Sequence, residues 1–425
     1  MKRGRPGELL EFGWVGYIVH SLKPAPLPPE PPIEWSGALL DRYQAAGAAL
    51  ARLEQITREA NRSEIAPNIQ DWLLKRDVLI GLSTYGSGVS LTQLLSREAG
   101  YPVNEGAAIT WAPPGTAEYT AICANTWDRV ANALEATLEG HYMVDNGQAL
   151  TSNLMRQLHG TLAAAAQYRK YGRAKHRGAP GAFRRTPLWT GTLNRTSRPN
   201  MRVPPEDVAT CMEQLDDYLL SEPPDTPAVL KAGLVHAQLD LIYPFPDDGP
   251  RFSLMLSSLI LRAGEVGTNL QLQLNEQIRA ALAEYYEALD AVRLDGDWEA
   301  WLRFWFTLIE STAHGTRELT NAVLRRATND RDHIEQLGRA SGSAREVHEV
   351  FCQEPVVTSL GLQQRTGLVA STVNKALRAL EDLGIICEVT GNARNRWFRY
   401  DPLIEILSAS TDAPARGPRR MPTVA

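Results

Sequence analysis

An apolar stretch near the middle of the chain constrains the fold more than any other part of the sequence. It runs from Val235 to Arg262 and reads VHAQLDLIYPFPDDGPRFSLMLSSLILR. Apolar residues recur at helical spacings on both sides of a short polar segment, residues 243–250. We therefore predict two buried helices joined by a tight turn. The start of the second helix carries free backbone N–H groups and the positive end of a helix dipole, which attract anions such as nucleotide phosphates.

This stretch resembles the signature of the Fic family, H-P-F-x-[DE]-G-N-G-R-x-x-R. Aligned without a gap, Pro244, Phe245, Asp247 and Arg251 match the signature. The resemblance implies a helical Fic core, which in that family transfers AMP from ATP to a protein hydroxyl. It also implies that Asp247, Gly249 and Arg251 line the phosphate loop, with Asp247 as the ligand of Mg²⁺.

Several signature positions are changed in this chain. Tyr243 stands in place of the family's catalytic His, and a phenol with a pKa near 10 is a weak base at neutral pH. Asp248 adds a negative charge to the loop, and Pro250 removes a backbone N–H. Leu254 replaces the last Arg, which in the family clamps the outer phosphates. The residues therefore predict a degenerate phosphate loop.

A second segment departs from the family in the same direction. Residues 82–95, LSTYGSGVSLTQLL, resemble the inhibitory helix of Fic proteins, whose Glu pairs with the last Arg of the signature. Ser83 and Gly88 match that helix, and Ser87 stands where the Glu is expected. With Leu254 at the Arg position, both partners of the inhibitory pair are absent from the sequence. A charge left alone in a partly buried site costs about 3–5 kcal/mol, so loss of both partners is the less costly outcome.

Two hypotheses for function follow from these changes. In the first, the chain is a Fic-fold pseudoenzyme that needs no cofactor and acts by binding, as a regulator. In the second, it is an active adenylyltransferase or a related nucleotidyl or phosphoryl transferase. That enzyme would use ATP and Mg²⁺, with Asp247 as the metal ligand and Tyr243 or Asp248 as the base.

The remaining sequence divides into segments of different character. Residues 1–36 are rich in proline and predict an extended arm, for which we favour packing on the protein's own surface over display to a partner. The further segments are a helical region with the degenerate inhibitory helix (37–115), the Fic core (116–324), a polar linker (325–343), a small C-terminal domain (344–407) and a disordered tail (408–425).

Within the core, residues 172–205 interrupt the helical pattern. The run from Leu188 to Leu193 predicts a β-hairpin, and its position resembles the flap by which Fic proteins hold a target peptide. Many of its residues are basic, and either a solvated loop or contact with an acidic partner or nucleic acid explains them. These residues are Arg173, Lys175, Arg177, Arg184, Arg185, Arg195, Arg198 and Arg202.

The C-terminal domain resembles a winged helix-turn-helix. Three short helical patterns are followed by two strand-like runs around a turn at residues 391–395. The third helix, ASTVNKALRALEDLG, resembles a recognition helix that enters the major groove of DNA. The candidate DNA contacts are Ser371, Thr372, Asn374, Lys375 and Arg378 of this helix and Arg394 and Arg396 of the wing. Winged helices also contact proteins or form dimers, so duplex DNA, a protein partner and a homodimer all stay open.

Composition limits the remaining functions. The chain has 425 residues, of which 44% are hydrophobic and 22% charged, and this is ordinary for a globular protein of two or three domains. A net charge of −5 gives no overall signal for nucleic acid or membrane. Four widely separated cysteines and no apolar stretch long enough to span a membrane predict a reduced, cytoplasmic protein with no membrane partner.

Overall fold

The computed structural model describes residues 6–14, 17–62, 68–84, 88–102, 117–164, 179–188, 202–221, 226–246, 249–266, 271–392 and 394–409. Within these ranges the protein is mainly helical and has two small antiparallel sheets, which confirms the prediction of a mainly α protein. In the described part of the chain, no helix is both long enough and apolar enough to cross a membrane. The hairpin predicted at residues 188–193 lies almost entirely outside the described residues, as does most of the tail.

The first residues form a β-hairpin, which corrects the prediction of an extended arm over residues 1–36. Strands β1 (Gly7–Trp14) and β2 (Tyr17–Pro24) pair in antiparallel register, with Gly7 opposite Pro24. The sequence from residue 7 to residue 23 contains no proline, so every residue there keeps the N–H that strand pairing needs. The proline-rich residues that follow lie on the protein itself: Leu27 is buried, and the N–H of Glu34 donates to Oε1 of Glu299 at 2.8 Å.

A bundle of eleven described helices follows the hairpin. The first five are α1 (Gly37–Arg62), α2 (Ile69–Thr84), α3 (Leu91–Glu98), α4 (Ala117–Asp145) and α5 (Ser152–Leu162). The other six are α6 (Val208–Ser221), α7 (Ala228–Ile242), α8 (Gly249–Ala263), α9 (Leu274–Ala280), α10 (Leu282–Asp295) and α11 (Trp298–Glu335). Helix α1 packs along α11, and the predicted central pair is α7 and α8.

Helix α7 lies at the centre of the bundle, because residues on all of its faces are buried, including the polar residues His236, Gln238 and Asp240. Two tryptophans of α11 hold it from one side. Trp301 donates its indole N–H to the carbonyl of Gly233 at 2.8 Å, and Trp305 donates to the carbonyl of Val229 at 2.9 Å. A Cβ atom on Gly233 would lie 2.6 Å from the ring of Trp305, so this close approach requires glycine.

The predicted polar linker at residues 325–343 is helical for most of its length. Helix α11 continues to Glu335, and a 3-10 turn (Gly338–Ala340) leads directly into α12 (Ser341–Phe351). Although this segment is mostly polar, Ala327, Asp330 and Ile334 recur at helical spacing and form a buried stripe. Asp330 is tolerated in the stripe because it accepts hydrogen bonds from Arg326, at 2.8 Å, and from Tyr400.

The C-terminal unit contains the predicted helices in the predicted order. After α12 come β3 (Val356–Thr358), α13 (Ser359–Thr366), α14 (Ala370–Asp382), β4 (Cys387–Glu388), β5 (Trp397–Arg399) and α15 (Asp401–Ser408). The strands form one antiparallel sheet in the order β3-β5-β4. Val373, Leu377 and Leu380 bury one face of α14, as its apolar spacing requires. Strand β3 and helix α15 were not predicted.

One buried side chain ties this unit to the bundle. Arg76 of α2 donates from Nε to the carbonyl of Leu407 at 2.9 Å and from Nη2 to the carbonyl of Ala409 at 2.7 Å, at the end of α15. On the bundle side, both terminal nitrogens of Arg76 donate to Glu276, at 2.8 and 2.9 Å. A cation at the C-terminal end of a helix is favourable, because it satisfies carbonyls that have no partner within the helix.

Candidate functional site

The turn between α7 and α8 begins at Tyr243, which ends α7 in a left-handed conformation. Its φ is 50° and its ψ is 67°, and its N–H donates to the carbonyl of Leu239 at 2.7 Å. An aromatic residue in this region is strained by about 1–3 kcal/mol, and such a conformation persists only where the surroundings hold it. Pro244 follows and prevents the helix from continuing.

Arg184 supplies part of that support. The guanidinium is buried, with 2% of the residue exposed, and Nε donates to the carbonyl of Tyr243 at 2.7 Å. Nη2 donates to the carbonyls of Ile242, at 3.1 Å, and Val203. The backbone N–H of Arg184 donates to the carbonyl of Pro244 at 2.9 Å. Burial lowers the pKa of Arg184 to about 10, so the side chain remains charged at neutral pH.

Arg202 lies on the other side of Tyr243. Its Nη1 donates to Oδ2 of Asp240 at 2.8 Å, and its guanidinium carbon is 5.2 Å from the centroid of the Tyr243 ring. Burial acts to lower the pKa of Arg202, but the carboxylate of Asp240 outweighs it and the pKa is raised. Arg184 and Arg202 are therefore structural cations, which corrects the prediction of a solvated loop or partner contact for these two residues. Both are distant from the turn in sequence, so residue patterns gave no signal for this role.

The ring of Tyr243 lies directly against the start of α8. A Cβ atom built on Gly249 would be 2.3 Å from Cζ of Tyr243 and 2.6 Å from Cε2. The first residue of α8 is therefore covered by the phenol ring, at the place where the sequence predicts an anion site. Pro250, the second residue of the helix, has no N–H to offer.

The next turn of α8 carries Arg251, which is half-buried, and Leu254, of which 2% is exposed. Both border a small cavity of about 50 Å³ that Asp77 and Gly81 of α2 also line. Leu254, which stands at the position of the last Arg of the Fic signature, therefore lines this cavity with an aliphatic side chain. Asp247, the predicted metal ligand, lies outside the described residues together with Asp248.

Comparison with known proteins shows the fold of this chain but not its family. No protein-family model matches the chain. A Fic family protein from Desulfovibrio desulfuricans G20 is similar in structure over 87% of this chain and 98% of its own, with a TM-score of 0.52 and 16% sequence identity. The chain has a Fic fold.

Two other Fic structures are similar over a smaller share of the chain. Fic-1 from C. elegans covers 65% of this chain and 71% of its own, with a TM-score of 0.45 and 18% identity. A Fic-domain-containing signaling protein from Bacteroides thetaiotaomicron covers 66% of this chain and 97% of its own, with a TM-score of 0.43 and 14% identity. The assignment of the Fic fold rests on the first comparison.

The segment that resembles the inhibitory helix of Fic proteins joins the end of α2 to α3. Ser83, in the last turn of α2, donates to the carbonyl of Ile80 at 2.9 Å and accepts from Nη1 of Arg279 at 3.3 Å. Gly88 is exposed just before α3, and Ser87 lies outside the described residues.

Asp77, one of the residues on the small cavity beside α8, was not predicted as a site residue. Oδ1 accepts from the backbone N–H of Asn275 and Oδ2 from its side chain, both at 3.0 Å. Burial raises the pKa of this carboxyl to about 6, although the hydrogen bonds oppose the change. Residue patterns carry little signal for this role, because Asp77 directly follows Lys75 and Arg76 and is typical of a charged helix face.

A serine, a histidine and a tyrosine form a buried row of hydrogen-bonded side chains, and these residue types also occur in catalytic sites. His236 of α7 contacts Oγ of Ser257 through Nδ1 and the hydroxyl of Tyr285 through Nε2, both at 2.9 Å. All three residues are fully buried, and burial lowers the pKa of His236 to about 4. A neutral, solvent-excluded imidazole with both nitrogens in hydrogen bonds serves packing. Among the described residues, no group of three or more His, Cys, Asp or Glu side chains is placed to hold a metal ion.

The candidate nucleic-acid residues belong to α14 and to the hairpin that follows it. Ser371, Lys375 and Arg378 are exposed along α14, and Thr372 is half-buried. Asn374 accepts from Nη2 of Arg396 at 2.7 Å, which joins α14 to the hairpin that follows it. Arg396 also lies 3.6 Å from Glu388, and Arg394 is exposed at the tip of the hairpin.

Proposed function

We propose that this Fic-fold protein does not transfer nucleotides and acts by binding, as a regulator that contacts duplex DNA through its C-terminal unit. The observation that carries the first part is the contact between the ring of Tyr243 and Gly249. A triphosphate needs backbone N–H groups at the start of the second helix and a cation to bind its outer oxygens. Tyr243, Pro250 and Leu254 occupy those positions instead.

The residues of the loop therefore do not fit ATP with Mg²⁺. Arg251 is the one signature cation that the chain keeps, and Leu254 gives no second one. Removing one catalytic base or one donor typically costs about 10²–10⁴-fold in rate, and here several are replaced together. The alternative, an adenylyltransferase that works with Asp247 as metal ligand and Tyr243 or Asp248 as base, would need to overcome all of these losses.

The experiment is a comparison of ATP binding and transfer. We expect ATP with Mg²⁺ to leave the melting temperature unchanged and to label no protein with AMP. Tyr243→His should also fail to bind ATP, because Pro250 and Leu254 remain. A saturable ATP response of the wild type that Asp247→Ala abolishes would establish the alternative.

Contact with DNA is supported by the arrangement of the C-terminal unit, which we interpret as a winged helix. Ser371, Lys375 and Arg378 project from α14, the helix that would enter the major groove. The hydrogen bond between Arg396 and Asn374 fixes the wing to that helix, so the binding surface is ordered before DNA arrives. A protein target at the hairpin of residues 188–193, a homodimer and a cytoplasmic location remain predictions.

Salt dependence tests the DNA proposal. Binding to duplex DNA should weaken steeply as salt rises, and Lys375→Ala and Arg378→Ala should each weaken binding and lower the salt slope by about 1. Arg345→Ala is the matched control, because Arg345 is an exposed cation on α12 of the same unit and lies 3.6 Å from Glu349. DNA binding that is absent, or equally sensitive to all three changes, would favour a protein-binding role for this unit.

A further inference from the structure

A cavity of about 330 Å³ lies where the bundle meets the C-terminal unit. Helices α2 and α3 form one side, and β3, α13 and β5 form the other. Small-molecule sites have volumes of roughly 300–1,000 Å³ and occur preferentially at junctions of this kind. The Fic signature does not contribute to its lining, so this cavity is separate from the turn between α7 and α8.

On the bundle side, a lysine lies between two carboxylates. Nζ of Lys75 is 2.6 Å from Oδ2 of Asp71 and 2.8 Å from Oε2 of Glu98. Burial acts to lower the pKa of Lys75, but hydrogen bonds to these carboxylates outweigh it and the pKa is raised. The ammonium of Lys75 is therefore positively charged, and the two carboxylates beside it balance that charge. An anionic ligand would have to approach two carboxylates to reach it.

The side formed by the C-terminal unit adds one more ion pair, between Arg365 and Glu354. The charged lining then consists of three carboxylates, Asp71, Glu98 and Glu354, against two cations, which gives a net charge of −1. In these ion pairs, one oxygen of each carboxylate accepts a hydrogen bond from its basic neighbour. The lining therefore carries a small excess of negative charge, which favours a cation over an anion.

Two indoles lie among these charges, one from each part of the protein. Trp72 of α2 and Trp397 of β5 both line the cavity. Trp397 is held in place by an edge contact with Tyr101, with ring centroids 5.5 Å apart. Tryptophan is the side chain that attracts cations most strongly through its ring, and carboxylates beside it strengthen the preference.

We propose that this cavity binds a small organic cation, namely an amine or guanidinium compound with an apolar or aromatic portion. The cationic group lies beside Asp71, Glu98 and Glu354. The apolar portion lies on Trp397, because Trp72 is buried, with 1% exposed, and leaves a ligand little of its ring to contact. Because both parts of the protein line the cavity, the bound cation bridges them and stabilises their contact. This proposal does not depend on whether the phosphate loop binds ATP or whether the C-terminal unit binds DNA. It adds a small-molecule ligand to the partners of the protein.

The test uses three indole compounds that differ in charge. Tryptamine is a cation, tryptophol is its neutral counterpart and indole-3-acetate is an anion; agmatine serves as a second, non-aromatic cation. By calorimetry on the full chain, we expect saturable 1:1 binding of at least one of the two cations, with tryptophol and indole-3-acetate at least tenfold weaker than tryptamine. The bound cation should also raise the melting temperature.

Charge variants then locate the site. Glu98→Gln and Glu354→Gln should each weaken cation binding at least tenfold, and both residues are partly exposed, so the variants should fold. Glu346→Gln is the matched control, since Glu346 is exposed on α12 and outside the cavity. The proposal is overturned if neither cation binds, if indole-3-acetate binds as tightly as tryptamine, or if all three variants bind alike.

Discussion

At the scale of single residues, Tyr243 determines what the turn between α7 and α8 can accommodate. The sequence alone indicated that a phenol replaces a histidine and that Pro250 removes an N–H. It could not indicate that the phenol folds back onto Gly249, because this depends on a positive φ at Tyr243. That backbone conformation is held by Arg184 and Arg202, which come from distant parts of the chain.

The contact between Tyr243 and Gly249 leads to a prediction about Gly249→Ala. Alanine favours a helix over glycine, so without the ring this change should be neutral or stabilising. With the ring 2.3–2.8 Å from the new Cβ, we expect instead a loss of about 1–3 kcal/mol in the free energy of unfolding. Chemical denaturation of the single variants and of the double variant with Tyr243→Ala measures the coupling. Additive effects of the two changes would contradict the contact.

Asp77 gives a prediction about pH. Its pKa is about 6 in the folded protein, against an ordinary value of 3.8. Between these values the folded state binds more protons than the unfolded state, so the contribution of Asp77 to stability is largest below pH 4 and is lost as the pH rises to about 6. The difference amounts to about 3 kcal/mol. We therefore expect the stability of Asp77→Asn, relative to the wild type, to increase by about that amount from pH 4 to pH 7.

The measurement for Asp77 is denaturant unfolding at a series of pH values. Asp41→Asn is the matched control, because Asp41 is an exposed carboxyl near the start of α1. Its stability relative to the wild type should stay constant over the same range. A constant difference for Asp77→Asn as well would show that the carboxyl is not held in an unfavourable charged state.

At the scale of elements, the sequence predicted those whose apolar residues are clearly spaced. Helices α7, α8 and α14 belong to this group, because each buries an uninterrupted apolar face or is buried on all of its faces. The continuation of α11 to Glu335 was missed because its buried stripe includes Asp330, whose partner Tyr400 is far away in sequence. The hairpin of β1 and β2 was missed because the prolines of residues 24–32 dominated the interpretation of the whole arm.

Helix α15 depends on Arg76, and this dependence can be measured. Arg76→Ala removes the ion pair with Glu276 and the donors to the carbonyls of Leu407 and Ala409. Breaking a buried pair on one side costs about 3–5 kcal/mol, so we expect a loss of that size in the free energy of unfolding. Hydrogen exchange should also become faster in α15 before it does elsewhere in the C-terminal unit.

The control for Arg76 is Arg58→Ala. Arg58 makes an exposed ion pair with Glu54 one turn away on α1, and such pairs contribute about 0.3–0.5 kcal/mol. A loss for Arg76→Ala no larger than that of Arg58→Ala would mean that the buried network does not hold α15 in solution.

At the scale of the whole molecule, the bundle and the C-terminal unit are joined in three ways. Helix α11 extends from the bundle to Glu335 and is joined to α12 by a 3-10 turn, Arg76 holds the end of α15, and the cavity between Trp72 and Trp397 is lined from both sides. The sequence predicted the two parts but separated them by a linker, since contacts between distant segments leave no periodic pattern. The two parts are therefore connected by helical backbone and by a shared interface.

Asn329→Pro tests whether that continuity makes the two parts unfold together. Asn329 is exposed near the start of the predicted linker, so no buried contact is lost, but proline removes a helical hydrogen bond and clashes with the preceding turn, at a cost of about 3 kcal/mol or more. By calorimetry, we expect one thermal transition for the wild type and for the control Asn329→Ala. For Asn329→Pro we expect two transitions, because the C-terminal unit then loses its rigid connection to the bundle and melts first. A single, unshifted transition for the proline variant would mean that α11 does not couple the two parts.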